Sequence, residues 1–229
     1  MCIEPHLVAS SPVVGISGHG ECASAAPCGE AAGIGEAQTA QSNWLDDAFD
    51  RMIVTSVLQK ALGERDRLGG TLARRLGVGG IPLAVLLWTC IPGHPMLAPD
   101  DYVTTDECDE QAWVRDLLVR NLTGDNPLSR AVAAIVARRA MQSDHLWEDL
   151  GLPDRPALTQ LMQRHFAPLA TLNEGAGMRW KRFLYRQLCE EEGMTHCTSP
   201  TCSTCVDVDR CFEPASAEAM LARAKQAPA

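Results

Sequence analysis

Four cysteines lie within one short stretch near the end of the chain, CTSPTCSTCVDVDRC. Intervals of four, two and five residues separate Cys197, Cys202, Cys205 and Cys211. Loops this short let four sulfur atoms converge on one centre without help from distant parts of the chain. Because thiolates bind soft metals, the stretch predicts a metal site with four thiolate ligands.

The spacing of these cysteines bears on which metal they would hold. Structural zinc sites typically use two C-x2-C pairs, whereas this stretch has one such pair, Cys202 and Cys205. Its first part, C-x4-C-x2-C, is the spacing of plant-type iron–sulfur ligation, although the fourth cysteine lies much further along those chains. The spacing therefore favours an iron–sulfur cluster over zinc, with a disulfide pair as the third alternative.

Two neighbours of the stretch are additional candidate ligands. His196 directly precedes Cys197, where an exposed histidine without a metal is the commoner arrangement. Cys189 lies shortly before the stretch on a predicted helix. The cysteines outside the stretch are otherwise expected to be free or buried thiols, because free cysteine commonly packs as a small hydrophobic residue. They are Cys2, Cys22, Cys28, Cys90, Cys108 and Cys189.

Features outside the cysteine stretch indicate the cellular compartment and argue against some classes of partner. Its N-terminus lacks the cationic region and strong apolar core of an export signal, so clustered cysteines indicate metal in a reducing, cytoplasmic setting. The apolar run Ile81–Ile91 is far shorter than the ~20 residues that span a bilayer, and it predicts a buried helix. A net charge of −9 argues against nucleic acid as a partner. No membrane or nucleic-acid role is expected.

Composition divides the chain into three parts. Residues 1–42 are rich in Gly, Ala, Ser and Pro without a sustained period, which predicts a disordered leader. Residues 43–193 have helix-length apolar patterning and predict a helical body. Residues 194–229 carry the four cysteines and a tail with a short helical stretch. With 46% hydrophobic residues, the chain of 229 residues can bury a real core.

Helical periodicity predicts an all-α body of about six or seven helices. The first should run from Trp44 to about Gly63, and another from Thr105 as N-cap to near Gly124. Another begins with Pro127 in its first turn. A further unit, RPALTQLMQRHFAP, has a buried stripe before Pro168 interrupts it: Leu158, Leu161, Met162, His165 and Phe166. Runs that alternate with period two are nearly absent, so no sheet is expected.

The last helix of the body must position the cysteine stretch. Its sequence is GMRWKRFLYRQLCEEEG, with Trp180, Phe183, Leu184 and Leu188 as the apolar stripe and Gly193 as the C-terminal stop. A helix packed on a core can hold a loop-rich metal site in a fixed place.

The segment MRWKRFLYRQLCEEEGMTHCTSPTCSTCVDVDRCFEP closely resembles the C-terminal signature of the NifQ family of nitrogen-fixation proteins. All four cysteines match that signature in spacing. His145–Asn173 also resembles the central region of the family, so the resemblance covers roughly the second half of the chain well and the first half more loosely.

This resemblance implies a specific function. NifQ proteins are iron–sulfur proteins that carry molybdenum and supply it for assembly of the nitrogenase iron–molybdenum cofactor. Cys197, Cys202, Cys205 and Cys211 would hold a cluster that accepts molybdenum derived from molybdate. The implied partners are a molybdenum donor, the cofactor assembly scaffold and the nitrogenase reductase. The implied role is that of a carrier, with reduction of molybdate at the cluster left open.

Two other functions would use the same four cysteines. A structural zinc module would bind zinc without inorganic sulfide, and a ferredoxin-like electron carrier would bind iron and sulfide without taking up molybdenum. Enzymatic motifs give no further candidate: GVGG is not a phosphate-binding loop, and the chain has neither a Gly-x-Ser-x-Gly elbow nor an H-E-x-x-H pattern.

Overall fold

The computed structural model describes residues 45, 47–104, 107–191, 193 and 217–226. In these ranges the chain forms ten α-helices and one 3-10 turn, Pro99–Tyr102, and no strand. The all-α prediction is therefore confirmed. The predicted leader over residues 1–42, the N-cap Thr105 and the segment 194–216 lie outside the described residues, so the three-part division stays a prediction.

The helices follow in chain order. They are α1 (Ala48–Leu68), α2 (Leu72–Leu76), α3 (Gly80–Cys90), α4 (Asp109–Arg120), α5 (Pro127–Ala140), α6 (Leu146–Asp149), α7 (Arg155–His165), α8 (Ala167–Ala176), α9 (Trp180–Glu191) and α10 (Ala217–Gln226).

The helix count exceeds the predicted six or seven, and short elements account for part of the difference. Helix α2 has 5 residues and α6 has 4. An element of one turn shows no apolar period, because a period needs at least two turns to repeat. Helix α10 covers the helical stretch that was predicted in the tail.

The helices that were predicted from apolar stripes bury those stripes. Helix α4 packs against α5 and α9, α7 packs against α8, and α1 packs against α2, α3 and α7. The buried side chains of these stripes include Val114, Leu117, Leu118, Val132, Ile135, Val136, Leu158, Leu161, Met162, Phe183 and Leu184. One connected hydrophobic core results, and it extends from Leu45 to Leu184.

Helix α1 is longer than the sequence predicted. It begins after the N-cap Asp47, whose carboxylate accepts hydrogen bonds from the amides of Phe49 and Asp50. It continues through Gly63 and ends at Leu68, followed by Gly69 with a φ of 73°. Tertiary contacts beyond Gly63 offset the low helix propensity of glycine, since Glu64 is buried in an ion pair with α5.

Helix α3 is present where it was predicted, but it is buried on one face only. Leu83, Leu86 and Leu87 face the core. Ile81 and Trp88 lie on the opposite face and are 80% and 83% exposed. The prediction of a buried helix is therefore wrong for this second face.

Candidate metal centre

The predicted ligands Cys197, Cys202, Cys205 and Cys211, together with His196, lie outside the described residues. Their ligand roles stay predictions. What the structure describes is the helix that precedes this stretch, α9, which ends at Glu191 shortly before the first predicted ligand. Gly193 follows with a φ of 73°, and its amide donates to the carbonyl of Glu190 over 3.0 Å. The predicted C-terminal stop at Gly193 is confirmed.

Lys181 fixes the first turn of α9. Its Nζ donates to Asp149 Oδ2 over 2.5 Å, and to the carbonyl oxygens of Gln142 and Asp144 over 2.7 and 2.5 Å. These contacts match the three donors of an ammonium group. Lys181 is 8% exposed and Asp149 is 2% exposed, so both charges are removed from water. One side chain of α9 thus joins it to α6 and to the loop before α6.

Burial shifts the titration of Asp149. Desolvation raises the pKa of this carboxyl above its usual range, and the attraction of Lys181 opposes the shift without cancelling it. The remaining contacts of Lys181 with two backbone carbonyls show that the ammonium does not depend on Asp149 alone. The pair therefore holds the loop and the helix together as a unit.

Aromatic side chains of α9 pack against the core. Trp180 and Phe183, both on α9, meet edge to face with ring centroids 5.7 Å apart, and both contact the core cluster. The hydroxyl of Tyr185 donates to the sulfur of Met141 over 3.6 Å, and burial raises the pKa of this phenol. Aromatic pairs in this geometry contribute about 0.5–1.5 kcal/mol beyond their buried area. The helix is therefore held by several contacts along its length.

An ion pair holds the far end of α9. Arg120, the last residue of α4, donates from Nη2 to both carboxylate oxygens of Glu191 over 3.0 and 2.8 Å. Both side chains are about half exposed, so the pair contributes at most about 1 kcal/mol. Arg186 and Glu190 form a second pair one turn earlier, over 2.6 Å. The last turn of α9 is thus attached to α4.

The cysteines of the body differ in state. Cys90 is a free buried thiol, as predicted, and burial raises its pKa. Cys108 and Cys189 are disulfide-bonded, so the prediction of free thiols is wrong for these two residues. Cys189 is 9% exposed on the last turn of α9. Its predicted role as an extra metal ligand would first require reduction of its disulfide, because only a thiolate ligates metal.

A second buried polar cluster was not recognised from the sequence. Ser129 Oγ lies 3.0 Å from His165 Nδ1, and His165 Nε2 lies 3.4 Å from Asp50 Oδ1. Arg164 donates to both carboxylate oxygens of Asp50 over 2.9 Å. Burial lowers the pKa of His165, although Asp50 opposes the shift. Periodicity placed His165 on a buried stripe, but its partners lie on α1 and α5 and share no motif with it.

These three residue types are those of a hydrolytic triad, yet the arrangement is structural. Ser129, His165 and Asp50 are 2%, 5% and 6% exposed, which leaves a substrate no access to the serine oxygen. A nucleophile needs an approach for the reacting carbon in addition to a base within hydrogen-bond distance. The cluster therefore joins α1, α5 and α7.

A buried arginine provides a further link. Arg139 is fully buried, and its Nη1 donates to Glu64 Oε2 over 2.6 Å and to Gln142 Oε1 over 3.2 Å. This pair joins α1 to α5, and the adjacent Gln142 carbonyl accepts from Lys181. The two ion pairs thus meet at the end of α5, next to the start of α9.

A groove of about 560 Å³ lies between the Gly77–Gly79 loop and the start of α5. Its charged side chain Arg130 already binds Asp125, over 2.5 and 2.6 Å. Gly77 and Gly79 have packing roles, because a Cβ at these positions would lie 2.9 Å from Arg138 Cβ and 2.5 Å from the Tyr102 carbonyl.

The described residues give no competing metal site. Among them, no group of three or more His, Cys, Asp or Glu side chains is arranged to hold a metal ion. None of the described helices combines the length and the apolar composition that crossing a membrane requires.

Comparison with known proteins gives one consistent family. The family model NifQ matches residues 53–213, a span that includes all four cysteines of the candidate centre. A NifQ homolog from Sinorhizobium fredii is 35% identical over 170 residues, which cover 73% of this chain and 74% of that protein. NifQ from Rhodobacter capsulatus is 39% identical over 146 residues, which cover 63% of this chain and 79% of that protein.

A third relative matches a shorter span. NifQ from Azotobacter vinelandii is 43% identical over 104 residues, which cover 45% of this chain and 53% of that protein. No solved structure matches the chain.

Proposed function

Since this chain belongs to the NifQ family, we propose that it is an iron–sulfur protein that carries molybdenum and supplies it for assembly of the nitrogenase iron–molybdenum cofactor. Family membership supports a role in nitrogen fixation and in the handling of molybdenum. The observation that carries the finer proposal is the C-x4-C-x2-C-x5-C stretch, Cys197–Cys211, which lies within the matched span.

The donor set fits the proposed cargo. Four thiolates form a soft ligand set, which selects iron–sulfur clusters and zinc over hard cations. Small and polar residues such as Ser199, Thr201 and Ser203 separate the cysteines, and loop amides between them can donate hydrogen bonds to sulfur. Molybdenum is a thiophilic metal and is the cargo in this proposal. Cys197, Cys202, Cys205 and Cys211 would bind the iron–sulfur unit that receives it.

Helix α9 is proposed to act as the mount for this stretch. Lys181 holds its first turn and Arg120 holds its last, so the chain enters the cysteine stretch from a fixed position on the body. A fixed entry point lowers the number of conformations that the stretch must lose when its sulfur atoms converge. The body would then keep its shape while metal is loaded and released.

The proposal includes a location and partners. A reducing cytoplasm keeps thiols available as ligands. Molybdate or another molybdenum donor would load the protein, and the cofactor assembly scaffold and the nitrogenase reductase would receive the metal from it. The protein would act as a carrier and would have no catalytic turnover of its own.

The test is metal analysis of the full chain purified without oxygen, together with electron paramagnetic resonance. We expect iron, inorganic sulfide and molybdenum in the protein, with a paramagnetic iron–sulfur signal. A variant with alanine at Cys197, Cys202, Cys205 and Cys211 should lose all three. Cys90→Ala is the matched control, because Cys90 is a free thiol buried in the body.

The same measurement separates the alternatives. Zinc without sulfide would indicate a structural zinc module. Iron and sulfide that cycle between two redox states without taking up molybdenum would indicate an electron carrier. Full iron and molybdenum in the variant without the four cysteines would show that the site has been assigned to the wrong residues.

A further inference from the structure

Helix α3 is apolar on both of its faces. One face packs against α1 with Leu83, Leu86, Leu87 and Cys90. The opposite face carries Ile81, Ala84, Val85 and Trp88, with Ile81 and Trp88 80% and 83% exposed. A helix that is apolar all round is normally covered on all sides, because exposed apolar area costs free energy in water. This face, called here the α3 face, therefore requires a second surface.

We infer that the α3 face is the contact surface of a two-fold symmetric dimer of this chain. This inference concerns the quaternary state and does not depend on the metal proposal. Three properties of the face carry it: its charge, its side-chain spacing and its area.

The α3 face is free of ionised groups in a strongly acidic chain. From Leu76 to Pro99 the sequence has no Asp, Glu, Lys or Arg, although the whole chain has a net charge of −9. Two acidic copies repel each other wherever their charged surfaces meet, and like charges placed directly opposite are destabilising. Contact through this uncharged segment keeps the carboxylates of the two copies apart. The distribution of charge therefore selects this segment for self-association.

The side-chain spacing on the α3 face is self-complementary. Ile81 and Trp88 are two helical turns apart, about 10 Å along the axis, with the smaller Ala84 and Val85 between them. If two copies of α3 cross antiparallel at Ala84 and Val85, Ile81 of one copy lies opposite Trp88 of the other. The small residues at the crossing let the two helices approach closely. A two-fold interface requires such matching of a surface with itself.

The large exposed side chains of the α3 face supply part of the area that a dimer buries. Each partner in a standard-size interface buries about 800 Å². A tryptophan side chain buries about 150–250 Å², so Trp88 alone supplies roughly a quarter of that area. Ile81 adds a further large side chain that is 80% exposed. Tryptophan is also among the residue types that most often dominate binding energy at interfaces.

Sedimentation equilibrium of the full chain tests the dimer, under reducing and oxygen-free conditions that exclude intermolecular disulfides. We expect the weight-average mass to rise from that of one chain toward that of two as the protein concentration increases. Trp88→Glu and Ile81→Glu should each raise the dimer dissociation constant about tenfold or more, because each places a carboxylate inside the contact. Trp113→Glu is the matched control: Trp113 is 57% exposed on α4, away from the face.

Photo-crosslinking gives an independent test in the folded protein. A p-benzoylphenylalanine in place of Trp88 should yield a covalent dimer, since it keeps a large aromatic side chain opposite Ile81 of the other copy. The same residue in place of Leu172, 55% exposed on α8, should not. A single-chain mass at every concentration would overturn the inference, and so would a dimer that tolerates both glutamates. Circular dichroism of each variant confirms that the helices are intact.

Discussion

Lys181 is a buried cation whose removal leaves a buried anion behind. Replacing Lys181 by methionine keeps most of the side-chain volume but strands the carboxylate of Asp149, which is 2% exposed. Removing one partner of a buried ion pair typically costs about 3–5 kcal/mol of folding free energy. We expect a loss of this size in the free energy of unfolding, measured with urea.

The double variant Lys181→Met with Asp149→Leu supplies the control for this prediction. Because it removes both charges, it should be less destabilised than Lys181→Met alone. An equal loss in the two variants would mean that the hydrogen bonds of Lys181 to the Gln142 and Asp144 carbonyls, and not the unpaired carboxylate, dominate.

His165 predicts a dependence of stability on pH. Burial holds its pKa below the ordinary value of 6.5, and the charged groups that face it are Asp50 and Asp47 at the start of α1 and Arg164 beside it. The unfolded chain therefore takes up a proton at higher pH than the folded chain. The contribution of neutral His165 to the free energy of unfolding is therefore fully present above about pH 6.5. It is lost as the pH falls through the folded-state pKa, and the loss is about 1.4 kcal/mol for each unit by which burial lowers that pKa.

Urea unfolding between about pH 8 and pH 5 measures this effect. His165→Asn removes the titrating group, so its unfolding free energy should fall less steeply over the same range. If the unfolding free energy of this variant fell with pH as steeply as that of the original chain, other groups would be the cause of the pH dependence.

Single residues show where sequence reasoning is limited. Periodicity places His165 on a buried stripe because burial repeats with the helical period. It does not identify Ser129 or Asp50 as partners, since those residues lie on α5 and α1 and meet His165 only after the helices pack. The same holds for Arg139 with Glu64, whose charges would each predict an exposed position.

At the scale of elements, α1 shows how packing overrides a local signal. Gly63 predicts a helix end, yet α1 continues to Leu68 and ends at Gly69 with a φ of 73°. A Cβ at Gly63 would meet nothing within 4 Å. Gly63→Ala should therefore raise the unfolding free energy by about 0.5–1 kcal/mol, because alanine loses less backbone freedom on folding.

Gly69→Ala is the matched control for this prediction. It also has open space for a Cβ, but its φ of 73° lies in the left-handed region, so alanine is strained there and should destabilise. Thermal unfolding measures the change in stability of each variant, which should be opposite in sign. A gain at Gly69 would contradict its left-handed conformation, and no gain at Gly63 would contradict its position inside the helix.

Most long elements follow from sequence alone, and the reason is physical. Helices α4, α5, α7 and α9 bury one continuous stripe each, so their apolar residues recur with the helical period. Helices α2 and α6 are too short to display a period, and α3 is apolar on both faces, so its sequence does not distinguish a buried face from an exposed one.

At the scale of the whole molecule, the described part of the hydrophobic core and the candidate metal centre occupy different parts of the chain. The core cluster runs from Leu45 to Leu184, whereas the four cysteines begin at Cys197. Alanine at all four cysteines should therefore leave the far-ultraviolet circular dichroism and the cooperative urea transition of the body in place. Loss of that transition would mean that the metal segment contributes to the fold of the body.

The family could be predicted from the sequence because the cysteine spacing and the RWKRF helix are contiguous motifs, whereas the ligand set stays a prediction. The contacts that hold that helix on the body could not be predicted from the sequence. Asp149 and Arg120 are distant in sequence from α9 and become its neighbours only through the packing of α6 and α4 against the rest of the body.

The described hydrophobic core reaches Leu184 and includes none of the four proposed ligands. Under the proposed carrier role, the body built on these side chains would stay folded while metal is bound and released. The working lifetime of the protein would then depend on oxidation of its thiolate ligands more than on repeated refolding.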